Sequence, residues 1–345
     1  MMRLSGCYTA LVTPFRPDGE VDYEGLRRLV DFQFSQGIDG ILACGTTGES
    51  PTLDWSEHNK VTERVHEHSR GRGITIAGTG SNSTQEAIDG TVHAAHIGVE
   101  AVLLVDPYYN GPSSLEIRLE YVEPIARAFP KTLVIPYVIP GRTGTQLLPQ
   151  DLAQLADAFP NVRSVKEATG DLDNMRLTRE LCGKDYDILS GDDDKTFTMM
   201  TDPRIAASGV ISVSSNVAPK AVGDLVRRVR TGDIEGARSL AAALKPLFEV
   251  ITVKTVEKSP YGPVACRARN PLATKTLMNL LGMPSGPCRA PLGRMTRAGL
   301  ELVVQAARRV NEANPEILGP VGEFFGVDLS ARLYDGKVLE GLCYA

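Results

Sequence analysis

This 345-residue chain has no basic stripe, and its formal net charge is −5. Nucleic acid and anionic membrane surfaces are therefore not expected partners. No apolar run approaches the roughly 20 residues that span a bilayer. The opening residues, Met1-Met2-Arg3-Leu4-Ser5-Gly6, lack the apolar core of a secretory signal. The six cysteines, Cys7, Cys44, Cys182, Cys266, Cys288 and Cys343, form no Cys-x-x-Cys pair. That scatter excludes a zinc-ribbon pattern and suits reduced thiols in a cytoplasmic protein. Cys44 reads as a small core residue.

The rest of the chain is rich in material for a large core, with 42% apolar residues. Apolar strand-like runs fall at 8–14, 40–44, 74–80, 101–107, 132–140, 162–169, 186–192 and 209–214. Between them lie stretches of helical period at 23–36, 56–69, 84–96, 115–129, 149–159, 173–182 and 220–231. Eight such units predict parallel pairing, and eight closes an α/β (β/α)8 TIM barrel. A doubly wound open sheet is the rival. The expected division is a barrel over 1–232, a C-terminal helical region over 233–313 and an extension over 314–345. Within it, helices are expected at 234–253 and 300–313. Prolines 260–291 suggest a looser stretch, and the apolar extension should pack on something.

Barrels of this kind place chemistry at the C-terminal ends of their strands. The second delivers Gly45-Thr46-Thr47-Gly48-Glu49-Ser50, whose hydroxyls and turn N–H groups suit a carboxylate. The fourth delivers Tyr108 and Tyr109, the fifth Tyr137 and Arg142, and the sixth Lys166. A lysine ending an apolar strand must be paired, snorkelled or deprotonated. A neutral amine attacks carbonyls, and the protonated imine then acts as an electron sink. A tyrosine joined to a hydroxyl chain can carry the protons. A guanidinium can hold a carboxylate with two parallel hydrogen bonds. Taken singly, these residues are more often core or surface groups; their joint arrival on successive strand ends carries the reading.

Three local features admit other readings. Asp192-Asp193-Asp194 reads as a helix-capping loop rather than a metal site. His93 and His96 share a helix face without a third ligand. Gly78-Thr79-Gly80-Ser81-Asn82-Ser83 imitates a dinucleotide fingerprint but lacks its last glycine. A nicotinamide oxidoreductase is the reading that this segment alone would favour.

The segments GTTGES, PYYN, YxIPGRTG, VKEATGD and GVISV stand in the order and spacing of the dihydrodipicolinate synthase / N-acetylneuraminate lyase family, which the chain resembles over about residues 5 to 310. The arginine in Gly-Arg-Thr-Gly is similar to the synthase branch. The resemblance implies a Schiff-base aldolase with no metal or organic cofactor. It would add pyruvate to L-aspartate-4-semialdehyde, forming 4-hydroxy-tetrahydrodipicolinate for lysine and diaminopimelate biosynthesis. It implies Lys166 as the imine residue, Tyr137 as the relaying phenol, and Thr47 as its link to Tyr109 of a neighbouring subunit. It also implies Thr46 and Thr47 on the pyruvate carboxylate, Arg142 on the semialdehyde carboxylate, and Ile211 beside the imine. An L-lysine inhibitor site would comprise Ser50, Pro51, Trp55, His58, Asn82, Glu86 and Tyr108, in a homotetramer built as a dimer of dimers. The plain alternative for Trp55 and His58 is an exposed helix start. Two departures stand out: Val138 replaces a usual asparagine, and Lys258–Cys266 stands where an Asn-Pro-x-Pro-Val-Lys-like segment is expected. Alternatives within and outside the family are a different pyruvate aldolase acting on a sugar-acid aldehyde and a non-catalytic regulatory barrel.

Overall fold

The computed structural model describes residues 2–344. Eight strands form a closed parallel barrel: β1 (Gly6–Ala10), β2 (Gly40–Ala43), β3 (Ile74–Gly78), β4 (Ala101–Val105), β5 (Leu133–Val138), β6 (Ser164–Glu167), β7 (Asp187–Ser190) and β8 (Gly209–Ser212). β1 pairs with both β2 and β8, which excludes the open doubly wound sheet. Side-chain alternation along each strand sorts the residues into two cores. Leu42, Ile76, Leu103, Ile135, Leu189 and Ile211 pack inside the barrel. Val102, Val134, Val138, Val165 and Ile188 pack outward under the helices. No helix among the described residues is long and apolar enough to cross a membrane.

The first strand starts and ends earlier than its apolar run suggested. The Leu11 N–H makes the last ladder bond, to the Leu42 carbonyl at 3.0 Å, and Asn216 then takes over. Its amide donates to the Ala10 carbonyl at 2.8 Å and accepts from the Val12 N–H at 3.1 Å. The run stays buried without being strand. The predicted 115–129 helix contains a π-helical turn at Ile117–Val122.

The larger correction concerns the proline-punctuated stretch. The helix from Ile234 ends at Glu249, and Thr252–Ser259 (β9) and Gly262–Arg269 (β10) form an antiparallel ribbon. Along β9 the buried Val253 and half-buried Thr255 and Glu257 alternate with exposed Lys254, Val256 and Lys258, but Pro260 and Pro263 beside the turn hid that period. It precedes Asn270-Pro271-Leu272-Ala273-Thr274-Lys275, which carries the Asn-Pro and Lys at the expected offsets. The expected pattern therefore stands at Asn270–Lys275, and Lys258–Cys266 belongs to the ribbon that precedes it. Helices Leu272–Leu280 and Arg297–Ala313 follow.

The extension does pack. Phe324 and Phe325 lie 5.3 and 5.2 Å from the Phe32 ring of helix Tyr23–Ser35. Arg332 donates to the Leu280 and Asn279 carbonyls at 2.8 and 2.7 Å, closing the end of helix Leu272–Leu280. An arginine on the last carbonyls of a helix also answers its negative end.

Candidate active site

Tyr137 and Lys166 are register partners on β5 and β6. Neighbours in a parallel register leave the same face of the sheet, so both side chains point into the barrel. The Lys166 amine sits 4.2 Å from the centroid of the Tyr137 ring. Lys166 is only 4% exposed and has no hydrogen bond to a protein acceptor among the described residues. Burial pushes its pKa down to about 8, against the pull of Asp192 and Asp193. Burial likewise raises the Tyr137 phenol well above its ordinary value. Gly191 makes the room. A Cβ there would lie 3.2 Å from Lys166 Cε and 2.8 Å from the Ala168 Cβ. Glu167, next in sequence, points outward. It accepts from the Thr169 N–H at 2.7 Å and the Asn174 amide at 3.1 Å.

The turn after β2 supplies the hydroxyls, and it places its two threonines differently. Thr46, not Thr47, lines the cavity beside Tyr137. Thr47 is buried and accepts from the Asn270 amide at 2.9 Å. The N–H groups of Thr46 and Thr47 donate to no protein acceptor among the described residues. Two adjacent free N–H groups suit a carboxylate. The turn is held from outside by a residue that sequence reasoning missed. Lys275, 1% exposed, donates to Glu49 at 2.7 Å and to the Thr13 and Pro287 carbonyls at 3.0 and 2.8 Å. Glu49 adopts φ 56°, and its other oxygen accepts from the Arg289 N–H at 2.9 Å. The signal for Asn270 and Lys275 was the Asn-Pro-x-x-x-Lys segment, read in the wrong place.

Arg142 lies at the rim and donates to the Asn270 carbonyl at 3.0 Å. Its pKa is lowered, first by burial, with Arg269 and Arg267 adding to the effect. Ile211 is fully buried in the same interior cluster as Tyr137. Tyr109 is 86% exposed and does not line its own chain's cavity. Asp193 is not a helix cap. It accepts from the Val213 and Ser214 N–H groups at 2.9 and 3.0 Å, fixing the exit of β8.

A cavity of about 190 Å³ is lined by Thr46, Tyr137 and Arg142, and also by Ser50, Pro51 and Tyr108. Residues of both expected sites therefore line one depression, whereas Lys166, Trp55, His58, Asn82 and Glu86 do not line it. Asn82 accepts from the Tyr108 N–H at 2.7 Å, and Glu86 accepts from the Ser81 hydroxyl at 2.5 Å. His58 is not an exposed helix residue. It is 3% exposed, bonded through Nε2 to the Gly78 carbonyl at 2.9 Å, and pushed down by burial to about 4. The Trp55 and His58 rings lie 4.9 Å apart. The glycines of the dinucleotide-like segment serve strand packing: a Cβ on Gly80 would meet the Val105 nitrogen at 2.5 Å, and one on Gly78 the Cys44 carbonyl.

A buried amine held under a phenol, inside a parallel eight-stranded barrel, is the layout of a carbonyl-capturing (β/α)8 enzyme. Comparison with known proteins is more specific. The model of the dihydrodipicolinate synthetase family matches residues 3–309, and the chain belongs to that family. It is 44% identical to the 4-hydroxy-tetrahydrodipicolinate synthase of Trichlorobacter lovleyi over 85% of this chain and 94% of the relative. Among solved structures it resembles the Cyanidioschyzon merolae synthase crystallised with lysine bound, with a TM-score of 0.81 and 34% identity. That match covers 89% of this chain and 98% of the other. The Acinetobacter baumannii synthase complexed with pyruvate gives a TM-score of 0.81 and 32% identity, covering 90% and 99%.

Proposed function

We propose that this chain condenses pyruvate with L-aspartate-4-semialdehyde to 4-hydroxy-tetrahydrodipicolinate, through an imine on Lys166. The observation that carries this reading is the desolvated, unpaired Lys166 amine against Tyr137. At a pKa of about 8, a useful fraction of the amine is neutral near neutral pH. It attacks C2 of pyruvate, whose carboxylate takes the Thr46 and Thr47 N–H groups. The carbinolamine oxygen gains a proton from Tyr137 and leaves as water. Loss of a C3 proton gives the enamine, which forms the new carbon–carbon bond to the aldehyde. Attack of the semialdehyde amine on C2 then closes the ring and returns Lys166. One water is lost overall. Arg142 holds the semialdehyde carboxylate, and Ile211 walls the imine.

Borohydride reduction in the presence of pyruvate, followed by mass mapping, tests the imine. The expected adduct lies on Lys166; an adduct elsewhere, or none, sinks the mechanism. Turnover with aspartate-4-semialdehyde against sugar aldehydes tests the second substrate.

The exposure of Tyr109 supports a shared relay, Tyr137–Thr46–Tyr109, completed by a neighbouring subunit in a dimer-based tetramer. Tyr109→Phe is expected to lower turnover about tenfold while leaving pyruvate binding intact. Ser50, Pro51, Trp55, His58, Asn82, Glu86 and Tyr108 are the residues for an L-lysine inhibitor, with Glu86 on the ammonium. Calorimetric titration with L-lysine checks this; no heat and no loss of activity would remove it. The catalytic unit on this reading is the barrel, residues 1–232, with 233–313 and 314–345 as helical region and extension.

A further inference from the structure

We propose that the β9–β10 ribbon supplies a second guanidinium rim, Arg267 and Arg269, which binds the carboxylate of the aldehyde substrate together with Arg142. This rests on the function proposed above and extends it to residues outside the barrel.

The ribbon is two-faced. Val253 is buried, and Thr255 is hydrogen-bonded to Thr296 at 3.2 Å, so that face packs against the start of helix Arg297–Ala313. Cys266 and Ala268 pair with Thr255 and Val253 and share it. By alternation, Lys254, Lys258, Arg267 and Arg269 take the opposite face. That face bears four cations and no acid; the ribbon's one carboxylate, Glu257, belongs to the packed face. Among the described residues, none of these four cations, nor Arg142, has a carboxylate within 4.0 Å.

The base of the ribbon is clasped to the mouth of the barrel. Arg269 donates to the Gly141 carbonyl at 3.1 Å, and Arg142 donates back to the Asn270 carbonyl at 3.0 Å. Asn270 in turn reaches Thr47 at 2.9 Å. Each guanidinium has five N–H donors, so a single carbonyl leaves most of them free. Their charges act on one another: Arg267 and Arg269 both push the Arg142 pKa down, and Arg267 does the same to Arg269. An anion between them relieves that repulsion, and a carboxylate matches the planar fork.

The location selects between the two substrates. The carboxylate of pyruvate adjoins the carbon that reacts with Lys166 and must lie deep, by the Thr46–Thr47 turn. The carboxylate of the semialdehyde is three bonds from its reacting carbon and reaches outward to the rim.

Steady-state kinetics on the full-length protein test this. Arg269→Ala is expected to raise KM for aspartate-4-semialdehyde about tenfold, and Arg267→Ala about fivefold. Arg267→Glu should raise it further. KM for pyruvate and kcat should change by less than about twofold. The Arg267 side chain makes no hydrogen bond among the described residues, so its variants remain readable if Arg269→Ala loosens the ribbon. The proposal is overturned if Arg267→Glu and Arg269→Ala leave the semialdehyde KM unchanged. It is also overturned if both KM values rise together with a fall in kcat, the mark of a displaced turn rather than a lost contact. A wild-type protein that traps no pyruvate would instead remove the underlying function, so the two failures are separable.

Discussion

Among the described residues, two lysines are buried, and each amine lies 4.2 Å from the centroid of an aromatic ring. Lys275, over Phe15, is fully satisfied, with a carboxylate and two carbonyls around its ammonium. Lys166, over Tyr137, has no acceptor among the described residues. Burial lowers both pKa values, yet only Lys275 is paid back by a hydrogen-bonded counter-charge. The difference separates structure from chemistry. A satisfied buried cation fixes a turn, whereas an unsatisfied one gives up its proton more readily and can act as a nucleophile.

Substitution at the two lysines should give opposite results. Lys166→Ala should lose the pyruvate adduct and lower turnover by about 10⁴-fold or more, with the circular dichroism spectrum retained. A variant that turns over normally would erase the distinction. Lys275→Ala strands Glu49 as a buried charge and should cost about 3–5 kcal/mol of stability in denaturant melts. Where that variant folds, it should still trap pyruvate on Lys166. A melt within about 1 kcal/mol of wild type would show that the pair is not a clamp.

The smallest expected effect is that of pH. Adduct formation should rise with pH towards about 8 and then level, as the Lys166 amine loses its proton. The stability sign follows from the same shift. The unfolded chain holds that proton up to the ordinary 10.5, so between pH 8 and 10.5 it binds more protons than the folded protein. Rising pH in that window therefore stabilises the fold, by at most about 3 kcal/mol. Lys166→Met should lose this gain relative to wild type; parallel pH profiles of the two would contradict it.

Much of this was legible in the sequence because it is local. The period-2 and period-3.6 patterns locate eight strand–helix units. Lys166, Tyr137 and Arg142 announce themselves by arriving at strand ends. The ribbon was missed because its prolines masked a short alternation. Thr46 and Thr47 are adjacent and chemically alike, so the sequence does not separate their places in the turn. Only the turn's curvature decides that one threonine lines the cavity with Tyr137 and the other meets Asn270.

The sequence by itself determined the barrel, the family and the residue types that reach its mouth. Alternation and motif spacing depend only on neighbours along the chain. The tertiary structure alone decided what is paired with what. Glu49 and Lys275 are 226 residues apart, Thr47 and Asn270 223, and Gly141 and Arg269 128. No local pattern encodes such partners, because they meet only when the barrel closes and the C-terminal region folds back over its rim. That closure is what satisfies Lys275 and leaves Lys166 unpaired.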